Sequence, residues 1–129
     1  MKNRQQIALY GFGYVGKALH NFFKDHYDVI IYDPMYPEYS DKKRLEGIGY
    51  AVICVPTPMS KDGSCDTSIV EDILRTTNHS SYLIKSTIVP GTTQKLIKAT
   101  KKKIVFSPEY IGEGKYEIPF WLDLPHPTN

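Results

Sequence analysis

Cysteine is scarce in this chain. The two that occur, Cys54 and Cys65, build no disulfide framework. One falls in an apolar run and the other in a polar loop, which fits a reducing compartment and predicts a cytoplasmic protein. Excess charge is lacking as well. Sixteen Lys and Arg stand against 14 Asp and Glu, leaving +2. That balance offers no footing for nucleic acid or a membrane surface. No apolar run approaches the ~20 residues of a membrane span. Met1 to Gln6 is polar and leads straight into an apolar segment, without the pattern of a signal peptide. Repeats and low-complexity tracts are missing. No spacing of His, Cys, Asp or Glu suggests a metal, and His20 and His26 read as structural groups near a helix. What remains is a soluble globular composition, 41% hydrophobic and 23% charged. Its 129 residues suffice for one domain over 1–129.

The stretch from Ile7 to Asp33 organises the rest. An apolar run, Ile7 to Tyr10, meets Gly11-Phe12-Gly13-Tyr14-Val15-Gly16. A helical pattern follows, then a second apolar run, Val29 to Tyr32, ending on Asp33. Strand, glycine turn, helix, strand and acid suit a dinucleotide. Gly11 permits the tight turn, Gly13 lets a pyrophosphate approach the main chain, and Gly16 lets the helix pack close. The helix N-terminus presents N–H groups and its positive dipole end to the phosphates. Asp33 is spaced to accept from the adenosine ribose hydroxyls, and its charge repels a 2′-phosphate, so NAD is favoured over NADP. Lys42, Lys43 and Arg44 have the charge to neutralise such a phosphate, but read more simply as a solvated basic helix end.

The chain in order predicts strands at about 6–11, 28–32, 50–55, 82–86 and 104–106. Helices are expected at about 14–25, 67–77 and 91–100. Val15, Leu19, Phe22 and Phe23 make the apolar stripe of the first helix. Residues 34–49 read as irregular, with one helical turn at 41–46. Asp66 is the expected N-cap of the second helix. Lys101-Lys102-Lys103 reads as a solvated lead-in to the last strand. The tail from Glu109 predicts turns and one helical piece. Alternating strands and helices define an α/β, Rossmann-like, doubly wound parallel sheet of about five strands, shortened between the second and third. Ligands bind such sheets at the carboxyl ends of the strands, where Gly11–Gly16, Asp33, Pro56–Pro58, Ser86–Thr87 and Ser107–Glu109 fall.

Several segments, in order, match one family. They are GFGYVG (11–16), ICVPTP (53–58), DGSCDTS (62–68), IKSTIVPGTT (84–93) and SPEYIGEG (107–114). The chain resembles the N-terminal, NAD-binding domain of the UDP-glucose/GDP-mannose dehydrogenases, the nucleotide-sugar 6-dehydrogenases. The resemblance implies oxidation of a sugar C6 alcohol to a carboxylate with NAD, and a UDP-glucose-like nucleotide-sugar substrate. By position, Gly11, Gly13, Tyr14, Val15, Gly16 and Asp33 would hold the adenosine and pyrophosphate half. Thr57, Ser86 and Thr87 would line the path to the nicotinamide. Thr87 and Glu113 would order a water near the reacting carbon, with Glu113 also reaching the cofactor. Glu109 would assist proton handling during thioester hydrolysis. Read from spacing alone, Glu109 and Glu113 share one side if the piece is helical, or Glu113 merely caps or solvates a turn.

The sequence departs from the family in three places. The stretch from Asp33 to Val55 is too short for the usual extra strand and helix, so an outer strand is expected to be absent, leaving Pro34, Met35 or Tyr36 to pack on adenine. Gly112 stands where the family often has Lys or Arg. The substrate-binding domain, with its nucleophilic cysteine and dimer-forming helix, is absent from this chain, and neither Cys54 nor Cys65 lies in the family's cysteine motif. Two readings follow. One is the cofactor part of a nucleotide-sugar dehydrogenase, incomplete as it stands, partnered by the missing domain or by a second copy. The other is a non-catalytic module that binds NAD or docks through Pro119, Phe120, Trp121, Leu122 and Pro125. A hydroxyacid-type dehydrogenase is a third possibility, against which SPEYIGEG argues.

Overall fold

The computed structural model describes residues 4–63, 66–86, 88 and 91–107. The elements run β1 (Gln6–Tyr10), α1 (Tyr14–Phe23), β2 (Asp28–Tyr32), β3 (Tyr50–Ile53), α2 (Ser68–Thr76), β4 (Ser81–Ile84), α3 (Thr92–Thr100) and β5 (Ile104–Phe106). All five strands are parallel, in the order β2-β1-β3-β4-β5. Between β2 and β3 lie only two 3-10 turns, Pro37–Tyr39 and Lys42–Leu45, so β2 is the edge of the sheet. The expected shortening is therefore present, and the outer strand is absent among the described residues.

The direction of travel sets the layers. α1 carries the chain from β1 to β2, and every later connection runs the other way. Right-handed crossovers then place α1 on one face and the remaining connections on the other. The packing follows. Ile7, Leu9, Ile31 and Val52 bury against Leu19 of α1. Ala8, Tyr10, Ala51, Ile53, Tyr82 and Ile84 bury against Val70, Ile73 and Leu74 of α2, with Leu96 of α3 and Leu45. Alternate residues of β1 thus serve opposite faces, as the two-residue strand period requires. β3 is buried at three of its four positions, which explains its unbroken apolar run. No helix among the described residues is long and apolar enough to cross a membrane.

Several predicted boundaries move. β3 ends at Ile53 rather than 55, and β4 at Ile84 rather than 86. Just past these ends the Cys54 N–H still donates to the Tyr10 carbonyl and the Lys85 N–H to that of Ile53, before Val55 and Ser86 run on beyond the paired residues. The N-cap of α2 is Thr67, not Asp66; Asp66 Oδ1 accepts from the Ser68 N–H at 2.9 Å one step earlier. A 3-10 turn at Pro37–Tyr39 was not expected. The basic run 101–103 is more than a solvated lead-in. Lys102 Nζ donates to the carbonyls of Leu74 and Thr77, where a cation suits the negative end of α2.

A buried polar chain joins the last residue of β1 to the segments that lead into β3 and β4. The ring Nδ1 of His79 donates to the Ile48 carbonyl at 2.5 Å, because that oxygen can only accept. Nε2 then accepts from the Tyr10 hydroxyl at 2.6 Å. Burial, and after it the neighbouring Tyr82, pushes the Tyr10 hydroxyl up to about 12. The folded state holds the neutral phenol more tightly than the unfolded chain does. That contribution is complete below pH 10 and is lost as pH rises toward about 12. Stability read by urea titration should fall by about 2–3 kcal/mol across that window, and Tyr10→Phe should remove this part of the fall. An unchanged alkaline profile in Tyr10→Phe would refute the assignment.

Candidate functional site

The turn between β1 and α1 is shaped from three glycines with different reasons. Gly11 has φ of +99°, and a Cβ there would come within 2.7 Å of the Cys54 main chain. A residue with a side chain meets both strain and collision. Gly16 lies one turn into α1, and a Cβ would fall 2.1 Å from the Gly11 carbonyl oxygen. α1 therefore rests directly on the turn. At Gly13 nothing lies within 4 Å of the position a Cβ would take. The fold gives no reason for glycine there; the space beside it does. The Lys17 N–H reaches the Gly13 carbonyl at 2.9 Å, which starts the helix. N–H groups of a first helical turn point outward, and no acidic side chain occupies this one.

Asp33 closes the turn from the far side. Its Oδ2 accepts from the Phe12 N–H at 2.8 Å and its Oδ1 from the Met35 N–H at 2.9 Å. An ionised carboxylate offers about four lone-pair directions, so about two remain for hydroxyl donors. Phe12 turns away from the opening and meets His20, Tyr36 and Tyr39 edge to face at 5.3–5.6 Å. His20 is thus a packing group, as expected.

These parts border a cleft of about 1030 Å³ at the carboxyl ends of β1 to β4. Its walls are the turn (Gly11, Gly13, Tyr14, Val15), the end of β2 (Tyr32 to Tyr36), the end of β3 (Cys54 to Pro58), the end of β4 (Lys85, Ser86), a face of α2 (Ile69, Asp72, Ile73) and Lys42. The cleft sits where the strand order reverses between β1 and β3, the place such sheets open. Ser86 is buried and its hydroxyl donates to the Val55 carbonyl at 2.7 Å, joining the ends of β4 and β3. The same oxygen keeps its capacity to accept.

Of the residues singled out from the sequence, Gly11, Gly13, Tyr14, Val15, Asp33, Thr57 and Ser86 line this one cleft. Gly16 does not line it but supports it from beneath. Thr87, Glu109 and Glu113 lie outside the described residues, as do Cys65 and the Pro and aromatic tail. Ile69, Asp72, Ile73 and Lys85 line the cleft without having been given a site role from the sequence, and Lys42 lines it although it read as solvated. Lys85 carried a signal, a lone charge at the end of an apolar strand. Lys42 is the half-buried member of its basic trio, while Lys43 and Arg44 are exposed.

A glycine turn, a helix N-terminus and a strand-end acid around the reversal point of a parallel sheet define a Rossmann-like NAD-binding domain. The chain belongs to the UDP-glucose/GDP-mannose dehydrogenase family: the model of that family's NAD binding domain matches residues 38–118. Solved structures agree on the fold. A UDP-glucose dehydrogenase from the hyperthermophilic archaeon Pyrobaculum islandicum superposes with a TM-score of 0.67 at 22% identity, covering 87% of this chain and 37% of that one. A GDP-mannose dehydrogenase from Pseudomonas aeruginosa gives 0.63 at 21% identity, covering 83% and 36%. An uncharacterised protein of Methanocaldococcus jannaschii is 38% identical over 72 residues, which span 48% of this chain and 8% of that protein. The chain thus corresponds to a little over a third of the solved dehydrogenases it resembles.

Proposed function

We propose that this chain is the cofactor-holding part of a nucleotide-sugar 6-dehydrogenase acting on a UDP-glucose-like substrate in the cytoplasm. Gly13 carries the reading. It is a glycine that the fold does not require, facing a cleft that a diphosphate would fill. The pyrophosphate would rest against Gly13 and the first turn of α1, at Tyr14 and Val15. Asp33 would accept from the adenosine ribose. Thr57 and Ser86, at the ends of β3 and β4, would face the nicotinamide half. When bound, NAD accepts the hydride from the sugar C6. That hydride leaves only as the alcohol proton is taken, so a base or a held water is needed beside it. The family likeness assigns the held water to Thr87 and Glu113, and proton handling during thioester hydrolysis to Glu109. The covalent step needs a thiolate, which the family supplies from the domain that follows, so the partner of this chain is that domain.

Calorimetric titration with NAD, followed by NADH formation from UDP-glucose or GDP-mannose, tests this. The second assay is run on the chain alone and with a relative's substrate domain supplied in trans. Saturable NAD binding and turnover only in the supplemented sample are expected. NAD binding with no turnover in either sample would leave a binding module and defeat the dehydrogenase reading.

A further inference from the structure

The outer end of the cleft, beyond Asp33, is built differently from the rest. Because β2 is the sheet edge, no further strand closes this end. The wall is made instead by the 3-10 turn at Lys42–Leu45 and by α2. Met35 and Ile69 border it, 84% and 42% exposed. Two large apolar side chains left in water on the rim of one cleft suit a flat ring between them. Tyr32 and Ile73 continue that apolar surface inward.

Two polar groups stand in this apolar setting. Lys42 Nζ lies 5.7 Å from the Tyr32 ring centroid and donates to Thr76 Oγ1 at 3.3 Å. Thr76 in turn donates to the Asp72 carbonyl at 2.7 Å, so the ammonium is held one helical turn beyond Asp72. An ammonium has three donors, and Thr76 takes one. The Asp72 carboxylate has no hydrogen bond or ion pair among the described residues, and none joins it to Lys42. A donor and an acceptor therefore line the same cleft without satisfying each other.

We propose that Asp72 and Lys42 read the adenine base. Asp72 accepts from the exocyclic amino group, and Lys42 donates to a ring nitrogen beside it. Adenine carries a donor and an acceptor side by side on one edge, matching this pair. Hypoxanthine replaces the amino group by a carbonyl oxygen, which would face the Asp72 carboxylate acceptor to acceptor. The inference rests on NAD binding as proposed above, and extends it to base selection.

The test compares NAD with nicotinamide hypoxanthine dinucleotide, titrated into the intact chain and into Asp72→Ala and Lys42→Ala. The unmodified chain should prefer NAD by about tenfold, since an unpaired polar contact is costly when partly desolvated. Asp72→Ala should bring the two within about twofold, by losing the repulsion as well as the contact. Lys42→Ala should weaken NAD several-fold. Equal affinities in the unmodified chain, or an unchanged ratio in Asp72→Ala, would overturn the assignment while leaving NAD binding intact. Failure of both dinucleotides to bind would instead remove the cofactor reading, and this one with it.

Discussion

Gly13→Val is expected to fold normally and to lose NAD binding. The backbone at Gly13 has φ of −83° and ψ of −150°, an extended conformation open to residues with side chains. A Cβ would meet nothing within 4 Å, so no packing is disturbed. The branched side chain would instead stand where the diphosphate must approach the main chain. Losing about two charge-assisted contacts to backbone N–H groups costs ~3 kcal/mol, or roughly a hundredfold in affinity. Calorimetry reads the affinity, and a melting curve confirms the fold. Equal NAD affinity in Gly13→Val and the unmodified chain would contradict the cradle.

Gly16→Ala, two residues into α1, should do the opposite. It adds one methyl group beneath the cleft rather than on its lining, yet that methyl would fall 2.1 Å from the Gly11 oxygen and 2.9 Å from the Gly11 carbon. Both are main-chain atoms, so no rotamer change relieves the clash. α1 must lift from the turn, pulling Leu19 from its contacts with Ile7, Leu9 and Ile31. The cost should be about 3 kcal/mol or more, near the upper end for overpacking. In a chain of this size that lowers Tm by about 10 °C. A Tm within about 2 °C of the unmodified chain would show that the turn yields more easily than its geometry implies. The two variants together separate the glycine that the fold needs from the glycine that the ligand needs.

Much of this architecture was legible because it rests on short-range pattern. The apolar runs marked all five strands, and the glycine spacing marked the turn. The brevity of 34–49 announced the missing outer strand. The errors have a common cause. Val55 is apolar and buried but has left the ladder, and Ser86 is polar but buried at the same level. Hydrophobicity reports burial, not strand pairing, so both strand ends were drawn too long. Long-range partners were also invisible. His79 meets Tyr10 across 69 positions, and Lys102 meets α2 across 28 or fewer. Nothing local to Lys42 or Asp72 distinguished a cleft wall from a solvated surface. Asp33 was assigned its place on the cleft from spacing alone, but its bond to Phe12 was not foreseen.

That bond has a consequence for how a ligand is received. The carboxylate at the end of β2 already grips the turn through Phe12 and its own next loop through Met35. The receptor is thus assembled in advance, and little freedom is left to surrender when a guest arrives. Preorganisation of this kind lowers the entropic cost of association. It also makes the acid a tether between two halves of the pocket, so that truncating it would slacken the phosphate end as well as the ribose end.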